Sequence, residues 1–274
     1  MHAGLKDALQ KDMQIAEVKR VEGLFLTDRG QIRSHNEDAG GIFFNDNGAL
    51  LAVIADGMGG HQAGDVASSL ATTLIQSKWQ AEKALSHPKE VEQWLHQTIA
   101  AINKEIFEYS KGKEECHGMG TTIVITVCMA SFVTIAHIGD SRCYLQNEDG
   151  FKQVTEDHSL VNELVRVGQI SKDDAEHHPR KNVLLKALGT EVQVDADIRT
   201  IEWEKGNVLL LCSDGLTNKL SDSELQRFIA QTEDLQDSGK QLVDLANERG
   251  GEDNISLALI RYDQEVLEAG DNEC

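Results

Sequence analysis

Three times in this chain an apolar run ends on an aspartate beside a glycine: Ala52-Val53-Ile54-Ala55-Asp56-Gly57, Leu209-Leu210-Leu211-Cys212-Ser213-Asp214-Gly215 and Ile135-Ala136-His137-Ile138-Gly139-Asp140. A strand fixes the position of its terminal side chain, and a neighbouring glycine lets a ligand or another backbone come close. Two more acidic clusters, Asn36-Glu37-Asp38 and Gly250-Gly251-Glu252-Asp253-Asn254, flank strand-like runs at opposite ends of the chain. A fold that brings those ends together would place five or six carboxylates in one cleft. Like charges a few ångströms apart raise each other's pKa steeply, and hard divalent cations are the usual compensation. With oxygen donors and no Cys or His set at zinc spacing, the expected metal is Mg²⁺ or Mn²⁺. Any one Asp-Gly is an ordinary turn; repetition at the ends of buried-looking strands is what points to a metal centre.

The elements that must hold these residues follow from the pattern of apolar positions. Runs rich in Val, Ile, Phe and Leu predict strands over Glu22–Thr27, Gly41–Asn45, Ala49–Ala55, Thr121–Cys128, Phe132–Ile138, Cys143–Gln146, Val208–Cys212 and Ile255–Tyr262. Helical spacing appears over Ala63–Gln80, with Val66, Leu70, Leu74 and Ile75 on one side, and over Glu90–Tyr109, with Val91, Trp94, Leu95, Thr98, Ile99 and Ile102. Shorter helices are expected at Asp222–Ala230 and Ser238–Glu248. Strands and helices come in batches rather than strict alternation, which predicts an α+β fold of antiparallel sheets covered by helices. Gly118–Gly139 carries no Asp, Glu, Lys or Arg and is long enough to cross a bilayer. Its hydroxyls and β-branched residues instead predict two paired strands reversing near Met129-Ala130-Ser131.

Composition narrows the function classes. The 274 residues include 26 Lys+Arg and 46 Asp+Glu, a net charge of −20, with 40% apolar residues. Disordered and collagen-like chains are excluded, and so negative a field repels nucleic-acid backbones while attracting divalent cations. Cys116, Cys128, Cys143, Cys212 and Cys274 form no CxxC pair and are odd in number, against a disulfide framework. With no export signal at the N-terminus, the expected setting is cytoplasmic, without membrane insertion, and a monomer is the default. Without repeats or linkers, the expected organisation is one domain over 22–263, between an N-terminal arm (1–21) and an acidic tail (264–274).

Read in order, Thr27-Asp28-Arg29-Gly30-Gln31-Ile32-Arg33-Ser34-His35-Asn36-Glu37-Asp38, Asp56-Gly57-Met58-Gly59-Gly60-His61, Gly120-Thr121-Thr122, Gly139-Asp140-Ser141-Arg142, Thr155-Glu156-Asp157-His158-Ser159, Ser213-Asp214-Gly215-Leu216 and Gly251-Glu252-Asp253-Asn254-Ile255 resemble the motif series of the metal-dependent serine/threonine protein phosphatases, the protein phosphatase 2C family. The resemblance runs from about Gly23 to Tyr262 and is strongest to the single-domain bacterial branch. It implies a four-layer α-β-β-α sandwich with metals at one end of the two sheets. Matched motif by motif, Asp56 would bridge two Mn²⁺ or Mg²⁺ ions, with Glu37 and the Gly57 carbonyl on one and Asp214 and Asp253 on the other. Asp140, with Asp214, matches a third and weaker site of bacterial members, and Asp38 would orient the ligands. Arg33 would grip the phosphoryl oxygens, and His61 would protonate the leaving serine or threonine oxygen. Here Met58-Gly59-Gly60 separates Asp-Gly from that histidine, which directly follows the pair in animal members. His35, His137 and His158 are expected to be structural.

The segment Leu160–Leu188, with Arg166, Lys172, Arg180, Lys181 and Lys186, resembles the family's flap beside the cleft. The implied partners are phosphorylated proteins and a cognate membrane-bound Hanks-type kinase whose action the enzyme reverses. The competing expectation is a catalytically silent phosphoprotein- or kinase-binding module on the same fold, although such pseudoenzymes lose metal carboxylates and this chain keeps them all.

Overall fold

The computed structural model describes residues 21–59, 63–230 and 234–262. The expected N-terminal arm, apart from Val21, the acidic tail and His61 lie outside the described residues. The chain runs β1 (Val21–Asp28), β2 (Asp38–Phe44), β3 (Leu50–Met58), α1 (Ala63–Ala81), α2 (Pro88–Gly112), β4 (Gly120–Thr121), β5 (Ile123–Cys128), β6 (Phe132–Ile138), β7 (Arg142–Asn147), β8 (Gly150–Gln153), α3 (Leu160–Arg166), α4 (Lys172–Glu176), β9 (Asp197–Glu202), β10 (Val208–Cys212), α5 (Asp214–Thr217), α6 (Asp222–Ala230), α7 (Leu235–Glu248) and β11 (Ile255–Tyr262). One sheet has the order β1-β11-β10-β7-β8, the other β2-β3-β5-β6-β9 with β4 paired to β3, and all pairings are antiparallel.

The near-continuous apolar runs of the central strands have a simple cause: both their faces are buried. In β3, Leu51 and Val53 face α1 and α2, while Leu50, Ala52 and Ile54 face the other sheet. In β10, Leu209 and Leu211 meet that same layer between the sheets, whereas Val208, Leu210 and Cys212 turn out toward Leu225, Leu242 and Ala246 of α6 and α7. Three apolar layers thus separate four layers of structure, α-β-β-α, as expected. The uncharged stretch 118–139 forms β4, β5 and β6, with the reversal closed by Met129 N–H donating to the Phe132 carbonyl at 2.9 Å. Among the described residues no helix is long and apolar enough to cross a membrane.

Two features differ from expectation. The buried stripe of α1 is Ala63, Ala67, Ala71, Ile75 and Trp79, at spacing i, i+4, while Val66, Leu70 and Leu74 only border the core. Alanines let the helix axis approach β2 and β3 closely, so the larger residues are displaced to the edge. The short strands β8 and β9 were absent from the apolar pattern because they lie at sheet edges and carry exposed charged residues such as Lys152, Arg199 and Glu202.

Trp79 closes the helix layer: it is fully buried, packs edge-on against Trp94 at 5.4 Å and donates from Nε1 to the Phe43 carbonyl at 3.1 Å. Trp79→Ala is expected to lower stability by about 3–5 kcal/mol in urea unfolding, the range for truncating a buried aromatic.

Candidate metal centre

The sheet pairings converge on one end of the sandwich. In the β2–β3 ladder Asp38 stands opposite Asp56. Glu37, one residue before β2, is tied in from three sides: its carbonyl accepts from Gly57 N–H (3.1 Å) and Ser68 Oγ (2.6 Å), and its N–H donates to Asn254 Oδ1 (2.8 Å). That last bond joins positions 217 residues apart. It is possible because β1 pairs with β11 along its whole length, with Thr27 Oγ1 and Ser256 Oγ 2.8 Å apart at the site end. Asp214 opens α5 immediately after β10, Asp253 precedes β11 beside it, and Asp140 sits in the turn that crosses from β6 in one sheet to β7 in the other.

Two glycines are required by close approach. A Cβ on Gly57 would lie 2.1 Å from the Gly64 carbonyl and 2.5 Å from that of Glu37; one on Gly215 would lie 1.9 Å from the Asn254 carbonyl. These positions let the ends of β3 and β10 pass against the segments that carry Glu37 and Asp253.

Electrostatics show how near the carboxylates are. Burial, followed by the charges of Asp38, Asp214, Asp140 and Asp253, pushes Asp56 well above the ordinary carboxylate range. Burial, together with the charges of Asp214 and Asp253, lifts Asp38 to about 7 against hydrogen bonds from Ser256 and Ser213. Asp140 is raised to about 7 by burial and by Asp214 and Asp157, and Asp214 to about 6 by burial and Asp253. Glu37 is raised as well, chiefly by burial, against the lowering effect of Arg33. Arg33 lies at the mouth, its side chain 45% exposed, with Nη2 2.8 Å from Asp253 Oδ2 and Nη1 3.6 Å from Glu37 Oε2. Arg33 and Arg142, the latter already paired with Asp157, do not balance six carboxylates. Asp38 accepts from Ser213 Oγ (2.8 Å), yet its Oδ1 is buried without a hydrogen-bond partner. An all-oxygen donor set carrying excess negative charge and an orphaned buried oxygen is the chemistry that hard divalent cations fit.

Of the residues singled out in the sequence, Arg33, Glu37, Asp56, Gly57, Asp140, Asp214 and Asp253 are thus brought to one end of the sheets; His61 is outside the described residues. From the basic segment, Lys181 Nζ donates to Asn218 Oδ1 (3.3 Å), and Asn218 Nδ2 donates to Asp214 Oδ2 (3.0 Å). Arg166 is engaged by Glu163 and Lys186 lies 3.5 Å from Asp197.

Sequence reasoning gave no role to the polar residues that fix these carboxylates. Thr122, buried, accepts the Asp56 N–H at its Oγ1 (3.0 Å) and lies 2.7 Å from Ser141 Oγ. Ser213 holds Asp38 and accepts from Ser256 N–H (3.0 Å). Asn254 donates to the carbonyls of Arg29 and His35 while receiving Glu37 N–H. The available signal was their adjacency to the acidic motifs. His137, His158 and Asp197 also bring three potential metal-ligating atoms within 4.8 Å of one another, beside the Asp140 turn.

A sandwich of this topology with a carboxylate-lined end defines a class of metal-assisted hydrolase, and residues 29–257 match the family Protein phosphatase 2C. The chain belongs to that family. It is 47% identical over 239 residues to the serine/threonine phosphatase stp of Listeria monocytogenes serotype 4b, covering 87% of this chain and 95% of that protein. The structure of serine/threonine phosphatase Stp1 from Staphylococcus aureus superposes with a TM-score of 0.84 at 40% identity, covering 88% of this chain and 94% of that one. The catalytic domain of the phosphatase PstP in complex with two manganese ions gives 0.77 at 29% identity, covering 88% and 97%. The likeness of the motif series to the firmicute phosphatase PrpC agrees with where these relatives fall.

The raised pKa values set a pH dependence with a definite sign. In the folded chain Asp38, Asp140 and Asp214 bind protons more tightly than in the unfolded chain, so their contribution to stability is complete below about pH 4 and is lost as pH rises through about 6 to 7. A divalent cation must displace those protons. Added Mn²⁺ is therefore expected to raise the thermal midpoint more at about pH 7.5 than at about pH 5.5; equal shifts at both would contradict the assignment.

Proposed function

We propose that this chain is a Mn²⁺- or Mg²⁺-dependent protein serine/threonine phosphatase that hydrolyses phosphoserine and phosphothreonine on proteins. The observation that carries the reading is the gathering of Glu37, Asp56, Asp140, Asp214 and Asp253 at one end of the sandwich, with every carboxylate of the motif series present. Asp56 would stand between two ions, with Glu37 and the Gly57 carbonyl serving one and Asp214 and Asp253 the other; Asp140 and Asp214 would hold a third. When bound, such a pair supplies a water of lowered pKa and offsets charge developing on the phosphoryl oxygens, which uncatalysed monoester hydrolysis lacks.

The chain's own groups do the rest. Arg33, half-exposed at the mouth and paired with Asp253, presents a planar fork that fits two phosphoryl oxygens. Asp38, fixed by Ser213, keeps the floor of the site in register with Asp56. His61 delivers a proton to the departing serine or threonine oxygen. The full carboxylate set favours this reading over a silent binding module. The relatives named as serine/threonine phosphatases support phosphoproteins as substrates; an opposing membrane-bound Hanks-type kinase and a cytoplasmic setting complete the proposal.

Turnover of p-nitrophenyl phosphate with Mn²⁺ but not without it, and of a phosphothreonine peptide, is the direct test. Activity on small esters alone would favour a phosphorylated metabolite as substrate, and no turnover at saturating Mn²⁺ would leave only the silent module. Asp214→Asn is expected to abolish nearly all activity while circular dichroism stays unchanged. Arg33→Ala is expected to raise KM rather than weaken Mn²⁺ binding in calorimetry.

A further inference from the structure

His158 stands outside the carboxylate cluster, yet three of its four polar groups, the backbone N–H, the carbonyl and ring Nδ1, are hydrogen-bonded. Its backbone N–H donates to the Gly139 carbonyl (2.9 Å), and its ring Nδ1 accepts the Gly139 N–H (3.1 Å), so both backbone groups of the residue preceding Asp140 are held by one histidine. Its carbonyl accepts from Leu185 N–H (2.8 Å), and the next residues continue the contact: Ser159 bridges Leu184, and Leu160 N–H donates to the Val183 carbonyl (2.8 Å). Ring Nε2 faces Asp197 Oδ1 at 3.4 Å, and the ring stacks on His137 with centroids 4.6 Å apart and planes 15° from parallel. His137 is itself anchored, its Nε2 donating to the Glu156 carbonyl at 2.8 Å.

This geometry argues against a metal ion shared by His137, His158 and Asp197. An ion bound by a ring nitrogen lies near the plane of that ring, and two stacked rings only 15° from parallel have planes that meet far from their nitrogens. Because the Gly139 N–H occupies the Nδ1 lone pair, the other ring nitrogen carries the proton in the neutral ring, on the side where Asp197 Oδ1 lies 3.4 Å away without a hydrogen bond. Burial, with His137 and Lys186 nearby, keeps the imidazole below its ordinary pKa and so in this neutral form.

We infer that His158 is a positioning residue: its Nδ1 fixes the Gly139–Asp140 turn and thereby the Asp140 carboxylate, and its carbonyl ties residues 183–185 of the neighbouring segment to that same turn. The inference rests on the reading above that Asp140 and Asp214 hold a third, weaker cation. Acting through Asp140, His158 controls occupancy of that site and leaves the ions on Asp56 untouched. The other side of the turn is held independently, by Thr122 through Ser141, so losing His158 loosens the carboxylate without dismantling the centre.

The discriminating experiment exploits a difference between two amides. Asn at 158 puts an oxygen where Nδ1 stands and retains the acceptor; Gln fills more of the imidazole volume but places its oxygen farther out. In Mn²⁺ calorimetry on the full chain, His158→Gln is expected to weaken the weakest site about tenfold, as losing a ligand-orienting partner does, and His158→Asn by no more than about twofold. The tight sites should be unchanged in both. A space-filling role predicts the opposite order, and equal effects of the two amides, or uniform weakening of every site, would overturn the inference. Combined with Asp140→Asn, His158→Gln should add no further loss; an additive loss would show that it does not act through Asp140. Should the Gln variant not fold, His158→Ala replaces it with the same expectation. Gly139 amide exchange by NMR supplies a second reading, slow in wild type and His158→Asn and accelerated where the acceptor is gone. A wild-type chain that binds no Mn²⁺ would remove the metal reading itself, whereas Mn²⁺ binding that depends on Asp140 but not on His158 would remove only this inference.

Discussion

Mutual repulsion among buried carboxylates is the constraint around which the rest of the molecule is arranged. Asp38, Asp56, Asp140 and Asp214 are forced together at the end of two sheets where burial and each other's charges raise their pKa values, against the opposing charges of Arg33 at the mouth and Arg142 near Asp140 and Asp214. Such a cluster is costly for the isolated chain. It persists because it is placed on elements whose stability lies elsewhere, in three apolar layers that do not depend on the site. The carboxylates occupy strand ends, where the backbone is fixed by ladders extending into those layers and the side chain alone meets the cleft.

Asp38, Asp56 and the Glu37 backbone are held in place by neutral hydrogen-bonding side chains, while Asp253 meets the Arg33 guanidinium. Thr122, Ser213 and Asn254 are buried and hydrogen-bonded to the backbone or carboxylate of a cleft residue. Neutral hydroxyls and amides orient carboxylates without cancelling the negative potential that draws a divalent cation. Arg142 is taken up by Asp157 through paired contacts of 2.7 and 3.0 Å, and its charge opposes the rise at Asp140 and Asp214 without overcoming burial and the neighbouring carboxylates.

The architecture was legible because the central strands are buried on both sides and read as apolar runs, and because Asp-Gly recurs where those runs stop. The carboxylates were legible for the same reason. The edge strands β8 and β9 were not: half-exposed and charged, they lack the signal that burial writes into a sequence. The inner face of α1 was misread because close packing on a sheet selects alanine, which a search for large apolar residues passes over. Ser213 and Asn254 escaped for a different reason. A hydroxyl or amide acquires its role from a partner far away in the chain, as Glu37 and Asn254 show, and no local pattern records it.

That remoteness has a consequence for how the centre forms. Glu37 and Asp38 lie near the start of the described chain and Asp253 near its end, and they meet only when β11 is inserted between β1 and β10. Closing so long a loop costs conformational entropy before any ligand is assembled. An ion that requires Glu37, Asp56, Asp214 and Asp253 together therefore has no preformed counterpart in the unfolded chain or in a fragment lacking either terminal strand, and its binding free energy is folding free energy. The pairing of β1 with β11 is thus the step on which the site depends: it joins the two halves of the ligand set, and the cation's affinity for both halves in turn favours the closed sheet.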